Sequence, residues 1–385
     1  MARSLTDTTA ISPAVHGVVD LDEVAAAALA GLATGRDTSA GVTWQVDRLC
    51  SSVNLTTERL DRVHGRLADG APWSIVAKTL RPASDSPYWE LIPEDFHESV
   101  LRNLDWTDEP RLYECGLGDQ LPAPLRMPRV CSIARTPDRI TVWMEDVPDT
   151  VELDPARLAR AASALGRLAG CWDEPQAVDR FGLDRRSMAE LFFGKITYFD
   201  LALQSDAEFW RSPAVRAAAD DHHRADLFSL AGAMPALLER LDALPHGAAH
   251  GDAAPDNLRE PGDGDLVAID WSYGCVAPIG SDLGQLIAGA ALAGAVAIEE
   301  LHGLADDLVA AFLVGLHEAG GRAHAAVDTA AVELAWVTTM AVRATCSMLL
   351  LDEPPEDAEA AQRLLAHRAA VGRFGLDRAL RLIDR

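Results

Sequence analysis

The chain predicts an α+β protein, with a β-rich N-terminal part followed by a helical C-terminal part and a boundary near Glu145 to Asp149. Three observations lead there. Strand patterns and hairpin signals cluster ahead of the boundary. Apolar positions recur at helical spacing from Asp154 onward. One short hairpin, near 258–271, is all that interrupts those helices. A length of 385 residues exceeds one simple core and suits two domains.

The elements follow in order. Residues 1–40 form a leader with one helix, Leu21 to Leu32. Strands are expected at Thr43–Leu49, Leu55–Leu67 and Trp73–Leu80, the last two joined through Asp69-Gly70, a strong hairpin signal. A helical zone runs from about Pro93 to Gly116. Arg129–Ala134 and Arg139–Met144 make a second hairpin across Thr136-Pro137-Asp138. Asp154-Pro155 then opens a helix, with a capping side chain and proline at the first helical position. Leu158, Ala161, Ala162, Leu165, Leu168, Ala169 and Trp172 continue it. Further helices are expected near 187–204, 213–243, 281–297, 300–319, 327–351 and 355–383. The domains are therefore 1–40, 41–147 and 148–385.

A hydrophobic content of 49% argues for globular folding. A net charge of −25 repels nucleic acid phosphates, so no nucleic-acid partner is expected; it either only aids solubility or also suits a cationic small molecule. The six cysteines are scattered without a CxxC pair, which fits reduced thiols in a cytoplasmic protein. The most apolar run, Leu283 to Ile298, has sixteen residues, is broken by Gln285 and ends at Glu299-Glu300, so no membrane partner is expected.

Chemistry concentrates in His250-Gly251-Asp252-Ala253-Ala254-Pro255-Asp256-Asn257-Leu258 and in Leu266-Val267-Ala268-Ile269-Asp270-Trp271. Asn257 follows Asp252 by five residues and Asp270 follows Asn257 by thirteen. Pro261-Gly262-Asp263-Gly264-Asp265 turns the chain between them, so Asn257 and Asp270 stand at the two ends of a hairpin. Phosphoryl transfer needs a carboxylate to accept the hydroxyl proton, and oxygen ligands to hold magnesium on the phosphates. Asp252 is the candidate base; Asn257 and Asp270 are the candidate ligands. Asp220-Asp221-His222-His223 reads as a solvated helix face, because adjacent side chains point in different directions.

His-Gly-Asp-x-x-x-x-Asn-Leu with a downstream Ile-Asp-Trp resembles the aminoglycoside phosphotransferase and choline-kinase-like superfamily, small-molecule relatives of the protein kinases. The likeness covers roughly residues 45–350. It implies a bilobal protein-kinase-like fold, with nucleotide bound in the N-terminal lobe. It also implies that Asp282, in Pro278-Ile279-Gly280-Ser281-Asp282-Leu283, braces the catalytic loop, and that His250 holds that loop. Lys78, in Trp73-Ser74-Ile75-Val76-Ala77-Lys78, is implied to hold the α- and β-phosphates. Its partner is implied to be Glu109, with Glu114 as the alternative. Ser51 and Ser52 occupy the phosphate-covering loop, Leu49 to Leu55, which departs from the kinase pattern in having no glycine. Val142-Trp143-Met144-Glu145-Asp146-Val147 resembles the linker between lobes, and backbone groups from Glu145 to Val147 are implied to meet the purine edge.

The resulting expectation is a cytoplasmic Mg²⁺-dependent O-phosphotransferase, monomeric or homodimeric. It would move the γ-phosphate of ATP or GTP to a hydroxyl of a small molecule, such as an aminoglycoside, an amino sugar or another secondary metabolite. Candidate acids for a cationic acceptor are Asp184, Asp200, Asp206 and Glu208. Tyr88, Trp89 and Glu90 form either a lid or a surface loop packing its own aromatics. The rival expectation is a pseudokinase-like module that binds nucleotide or metabolite without turnover. No Walker A motif occurs, and no segment resembles a protein-kinase activation loop.

Overall fold

The computed structural model describes residues 21–38, 41–50, 55–188, 206–320, 327–343, 349 and 357–383. The expected helix at 187–204 lies outside these except for Ser187 and Met188, as do Ser51, Ser52, Asp200 and most of the leader. The chain divides into two compact units. The first holds residues 1–119 and 127–148; the second holds 120–126 and 149–385. Strands dominate the first and helices the second, so the fold is α+β as the sequence predicts.

In the first unit, five antiparallel strands lie in the order β1 (Thr43–Cys50), β2 (Thr57–Arg66), β3 (Pro72–Leu80), β6 (Ile140–Glu145) and β5 (Val130–Arg135). The Asp69-Gly70 turn closes the β2–β3 hairpin, with Leu67 N–H donating to Ala71 O at 2.8 Å. Side chains alternate across a strand. On β3, Trp73, Ile75 and Ala77 join Val63 and Trp143 in one core cluster with Ala27, Leu29 and Ala30. Those three alanine and leucine side chains come from helix α1 (Glu23–Thr34). The leader helix is thus a layer of the sheet unit rather than a separate segment. Its removal would strip an apolar face from the sheet.

The other parity of β3 faces the opposite way. Leu80 and Val76 belong to a second cluster with Ile140, Val142 and Met144, against which Trp106 and Tyr113 pack. Lys78 shares that parity. The expected helical zone at 93–116 resolves into two short helices, α2 (His97–Asn103) and α3 (Asp108–Glu114). Pro110 sits in the first turn of α3, where its missing N–H would have no intrahelical partner. Trp89 stacks on His97 at 4.0 Å, so the aromatic segment packs on its own neighbours.

In the second unit, helix α4 (Pro155–Cys171) starts as predicted, with Asp154 accepting from Arg157 N–H and Pro155 at the first position. It packs along α10 (Leu301–Ala319). Between them in sequence come α5 (Glu174–Phe181), α6 (Ala207–Arg211), α7 (Pro213–Ala218), α8 (Asp221–Asp242) and α9 (Ser281–Leu292). The helix expected over 213–243 is therefore two. Asp220 ends the first by capping the second, its carboxylate accepting from His223 N–H at 2.8 Å. Helices α11 (Thr329–Arg343) and α12 (Ala358–Ile383) complete the unit. Strand β4 (Leu125–Arg126) pairs with β9 (Leu266–Ala268), which also pairs with β8 (Leu258–Arg259); β7 (His246–Ala249) pairs with β10 (Cys275–Pro278). The two-residue β4 explains why 120–126 goes with the helical unit. No helix among the described residues is long and apolar enough to cross a membrane.

Candidate active site

The loop that follows β7 carries Asp252. Gly251 begins it at φ +80°, and a Cβ there would stand 2.1 Å from Tyr273 O, so no other residue fits without moving the backbone. After Asp252 the chain makes a single 3₁₀ turn, Pro255–Asn257, and enters β8. The Asn257 side-chain amide turns back along the loop. Its Nδ2 donates to Asp252 O at 2.9 Å and to Asp252 Oδ2 at 3.0 Å. The five-residue spacing thus becomes a closed ring that fixes the carboxylate. With the nitrogen committed to Asp252, the amide's other end is a carbonyl oxygen, a hard ligand.

The hairpin forms where the turn residues predict it. Leu258 pairs with Ala268, and Ile269 N–H donates to Asn257 O at 2.9 Å. Asn257 and Asp270 are therefore near neighbours across the ladder. Asp270 is the only non-glycine described residue with positive φ, at φ 60° and ψ 66°. Such a conformation costs about 1–3 kcal/mol and gathers at functional sites. Ser272 Oγ donates to Asp270 Oδ1 at 2.7 Å. Two oxygen-bearing side chains suit magnesium, which keeps several waters and takes phosphate oxygens for the rest. Among the described residues, no cluster of three His, Cys, Asp or Glu side chains is arranged to hold a metal by itself.

Beneath the loop lies a buried support. Asp282, 5% exposed, accepts from His250 N–H at 2.7 Å and from Gly251 N–H at 2.9 Å. Burial pushes the Asp282 carboxyl above its ordinary range, and these two amides pull it back. His250 is fully buried, with its ring edge-on to Trp271 at 4.7 Å. Asp252 N–H donates to His250 Nδ1 at 3.3 Å, so Nδ1 is the acceptor and Nε2 carries the proton given to Ile269 O at 2.9 Å. The histidine is a strut between the loop and the hairpin.

Three supports escape the sequence reading. Gln285 Nε2 donates to Gly251 O at 2.7 Å. Gly289 lets α9 approach the loop, since a Cβ there would stand 2.4 Å from Pro255 Cδ. Arg157, 3% exposed, donates to Leu258 O at 2.8 Å and pairs with Asp149 at 2.9 Å, tying the hairpin to α4. Gln285 had a signal: it lies one helical turn after Asp282 in an otherwise apolar run. Arg157 had none beyond its place in the first turn of a helix.

In the sheet unit, Lys78 Nζ lies 2.7 Å from Glu109 Oε2, and the two residues are 5% and 2% exposed. Tyr113 Oη, one turn on, donates to Glu109 Oε1 at 3.0 Å. Glu114, the alternative partner, pairs with Arg135 at 2.7 Å on an exposed surface. In the linker, Arg129 N–H donates to a Glu145 carboxylate oxygen at 2.9 Å. Asp146 accepts from Arg62 at 2.7 Å and Ser74 at 2.5 Å, which orients the linker against β2 and β3. Val147 is buried.

Of the candidate acceptor acids, Asp206 caps α6 by accepting from Glu208 and Phe209 N–H. The reading of 220–223 as a solvated face holds for Asp220, Asp221 and His222, which meets Asp226, but not for His223, whose side chain points the other way and is buried. Burial pushes the His223 imidazole below its ordinary range.

No family model matches the chain, and no curated protein matches it. Solved structures do. A spectinomycin phosphotransferase in complex with ADP and spectinomycin is 12% identical, with 91% of this chain and 97% of that one covered and a TM-score of 0.46. A choline kinase from Streptococcus pneumoniae is 12% identical, covering 87% and 94% at a TM-score of 0.45. A macrolide 2′-phosphotransferase from Brachybacterium faecium is 15% identical, covering 88% and 97% at 0.41.

Proposed function

We propose that the protein is a magnesium-dependent O-phosphotransferase that moves the γ-phosphate of ATP or GTP to a hydroxyl of a small molecule. The observation that carries this reading is the Asp252–Asn257 ring. One amide nitrogen fixes the carboxylate, which leaves the amide oxygen for another partner, and Asn257 pairs across the hairpin with Ile269, the residue before Asp270. A loop built only to turn the chain has no use for that division of labour.

In this reading Asp252 orients the acceptor hydroxyl and takes its proton as the new P–O bond forms and the bond to the nucleotide's bridging oxygen breaks. Lys78, steadied by Glu109, positions the nucleotide phosphates. Asn257 and Asp270 would hold magnesium, which when bound offsets charge on the phosphate oxygens. The acidic chain favours a cationic acceptor, such as an aminoglycoside or amino sugar, over an anionic one.

The test is direct. Protein incubated with magnesium, ATP or GTP and a library of hydroxylated amines, sugars and antibiotics is expected to yield one product heavier by a single phosphoryl group. The glycine-free segment Leu49 to Leu55 favours a second reading, a nucleotide-binding module without turnover. Nucleotide binding with no product from any alcohol would select that reading instead.

A further inference from the structure

A cavity of about 10 Å³ lies under the candidate catalytic loop, lined among others by Gly251, Tyr273, Ser281, Asp282, Gln285 and Thr339. Three of these side chains are more than nine-tenths buried: Ser281 and Gln285 are 6% exposed and Thr339 1%. Their polar atoms Ser281 Oγ, Gln285 Oε1 and Thr339 Oγ1 are buried without a hydrogen-bond partner among the described residues. The Gln285 amide has one orientation, because Gly251 O only accepts and so must face Nε2. Its oxygen is therefore the end left over. Buried polar groups are seldom left unpaired, and three lining one cavity call for a shared partner.

We infer that this cavity holds one ordered water, hydrogen-bonded to Gln285 Oε1, Ser281 Oγ and Thr339 Oγ1, and that through it Thr339 acts as a positioning residue for the Asp252 loop. The size fits, since a single water needs about 10–15 Å³ and makes about three hydrogen bonds. The chemistry fits too. Gln285 Oε1 only accepts, and the hydroxyls can each give or take, so a water donating twice and accepting once satisfies all three. A cation fits poorly, because both Asp282 oxygens are already taken by the backbone amides of His250 and Gly251. The water extends the loop's support from α9 to α11. Helices α9 and α11 are close enough for this: a Cβ on Gly284 would stand 2.8 Å from Thr339 Cβ.

The positioning role rests on the proposed function; the water site does not. A high-resolution crystal structure should show a single oxygen-sized peak within hydrogen-bond distance of at least two of the three atoms. An empty cavity, or a peak with the anomalous signal or coordination of an ion, would overturn the site. Thr339→Val keeps the side chain's shape and removes its hydroxyl. It is expected to speed amide exchange in residues 251–254 about fivefold, the effect of one lost hydrogen bond, with Thr339→Ser restoring the slow rate. On a phosphorylated acceptor, kcat should fall by a similar factor with the nucleotide KM unchanged. Exchange and kcat unaltered by Thr339→Val would remove the positioning role. If no alcohol is phosphorylated at all, the function fails, while the density and the exchange still decide this inference.

Discussion

Lys78 and Glu109 in the sheet unit, and Asp252 with Asp282 in the helical unit, both keep charge away from water, but they divide the work differently. In the sheet unit the groups assigned to the phosphates are themselves the buried ones, each the other's counter-charge. In the helical unit the group assigned to chemistry is half-buried on a loop, and the fully enclosed carboxylate is a different residue, satisfied by backbone amides rather than by a cation. Stability and activity should therefore be coupled at the first site and separable at the second.

The largest expected effect separates them. Asp252→Ala should lower phosphoryl transfer by roughly 10²–10⁴-fold, the range for loss of a general base, with an unchanged denaturation midpoint. Near-normal turnover in that variant would end its role as base. Next comes the coupled site. Lys78→Met leaves Glu109 as an uncompensated buried charge and should destabilise the sheet unit by about 3–5 kcal/mol in chemical denaturation while also abolishing transfer. Adding Glu109→Leu should recover much of the stability and none of the activity.

A smaller loss is expected from Asp282→Ala. It strands the buried amide of His250 at about 1–3 kcal/mol, while the half-buried Gly251 N–H can turn to water, and loop exchange rates should rise in step. If Asp282→Ala proved neutral, the amides must have found another acceptor and the brace would be incidental. The smallest effect sharpens the choice between glutamates. Glu114→Ala removes only an exposed pair with Arg135, so stability should change by about 0–1 kcal/mol and nucleotide binding should not change at all.

Part of this architecture was legible along the chain because it is local. Asp154-Pro155 dictates a helix start, Asp69-Gly70 a hairpin, and Gly262 and Gly264 supply the positive-φ positions that return the chain toward Asp270. Asp252 and Asn257 lie on one loop, so their spacing alone brings them together. The helix expected over 213–243 was read too long because apolar periodicity runs across the break at Asp220, and only the cap itself marks the restart. Which surface the leader helix covers is not legible, because nothing in its own composition names its partner.

Sequence by itself determined a strand-rich part ahead of a helical one, the loop that carries Asp252, and the residue types able to serve phosphoryl transfer, since each depends on neighbours a few positions apart; it missed the short strands β4, β7 and β10, whose pairing joins distant segments. Tertiary structure alone decided that Glu109 rather than Glu114 reaches Lys78, that α1 closes the sheet, and that Arg157, Gln285 and Thr339 gather around the loop. Those choices follow from how separate elements pack and which polar atoms burial leaves needing a partner, and no spacing within a single element encodes them.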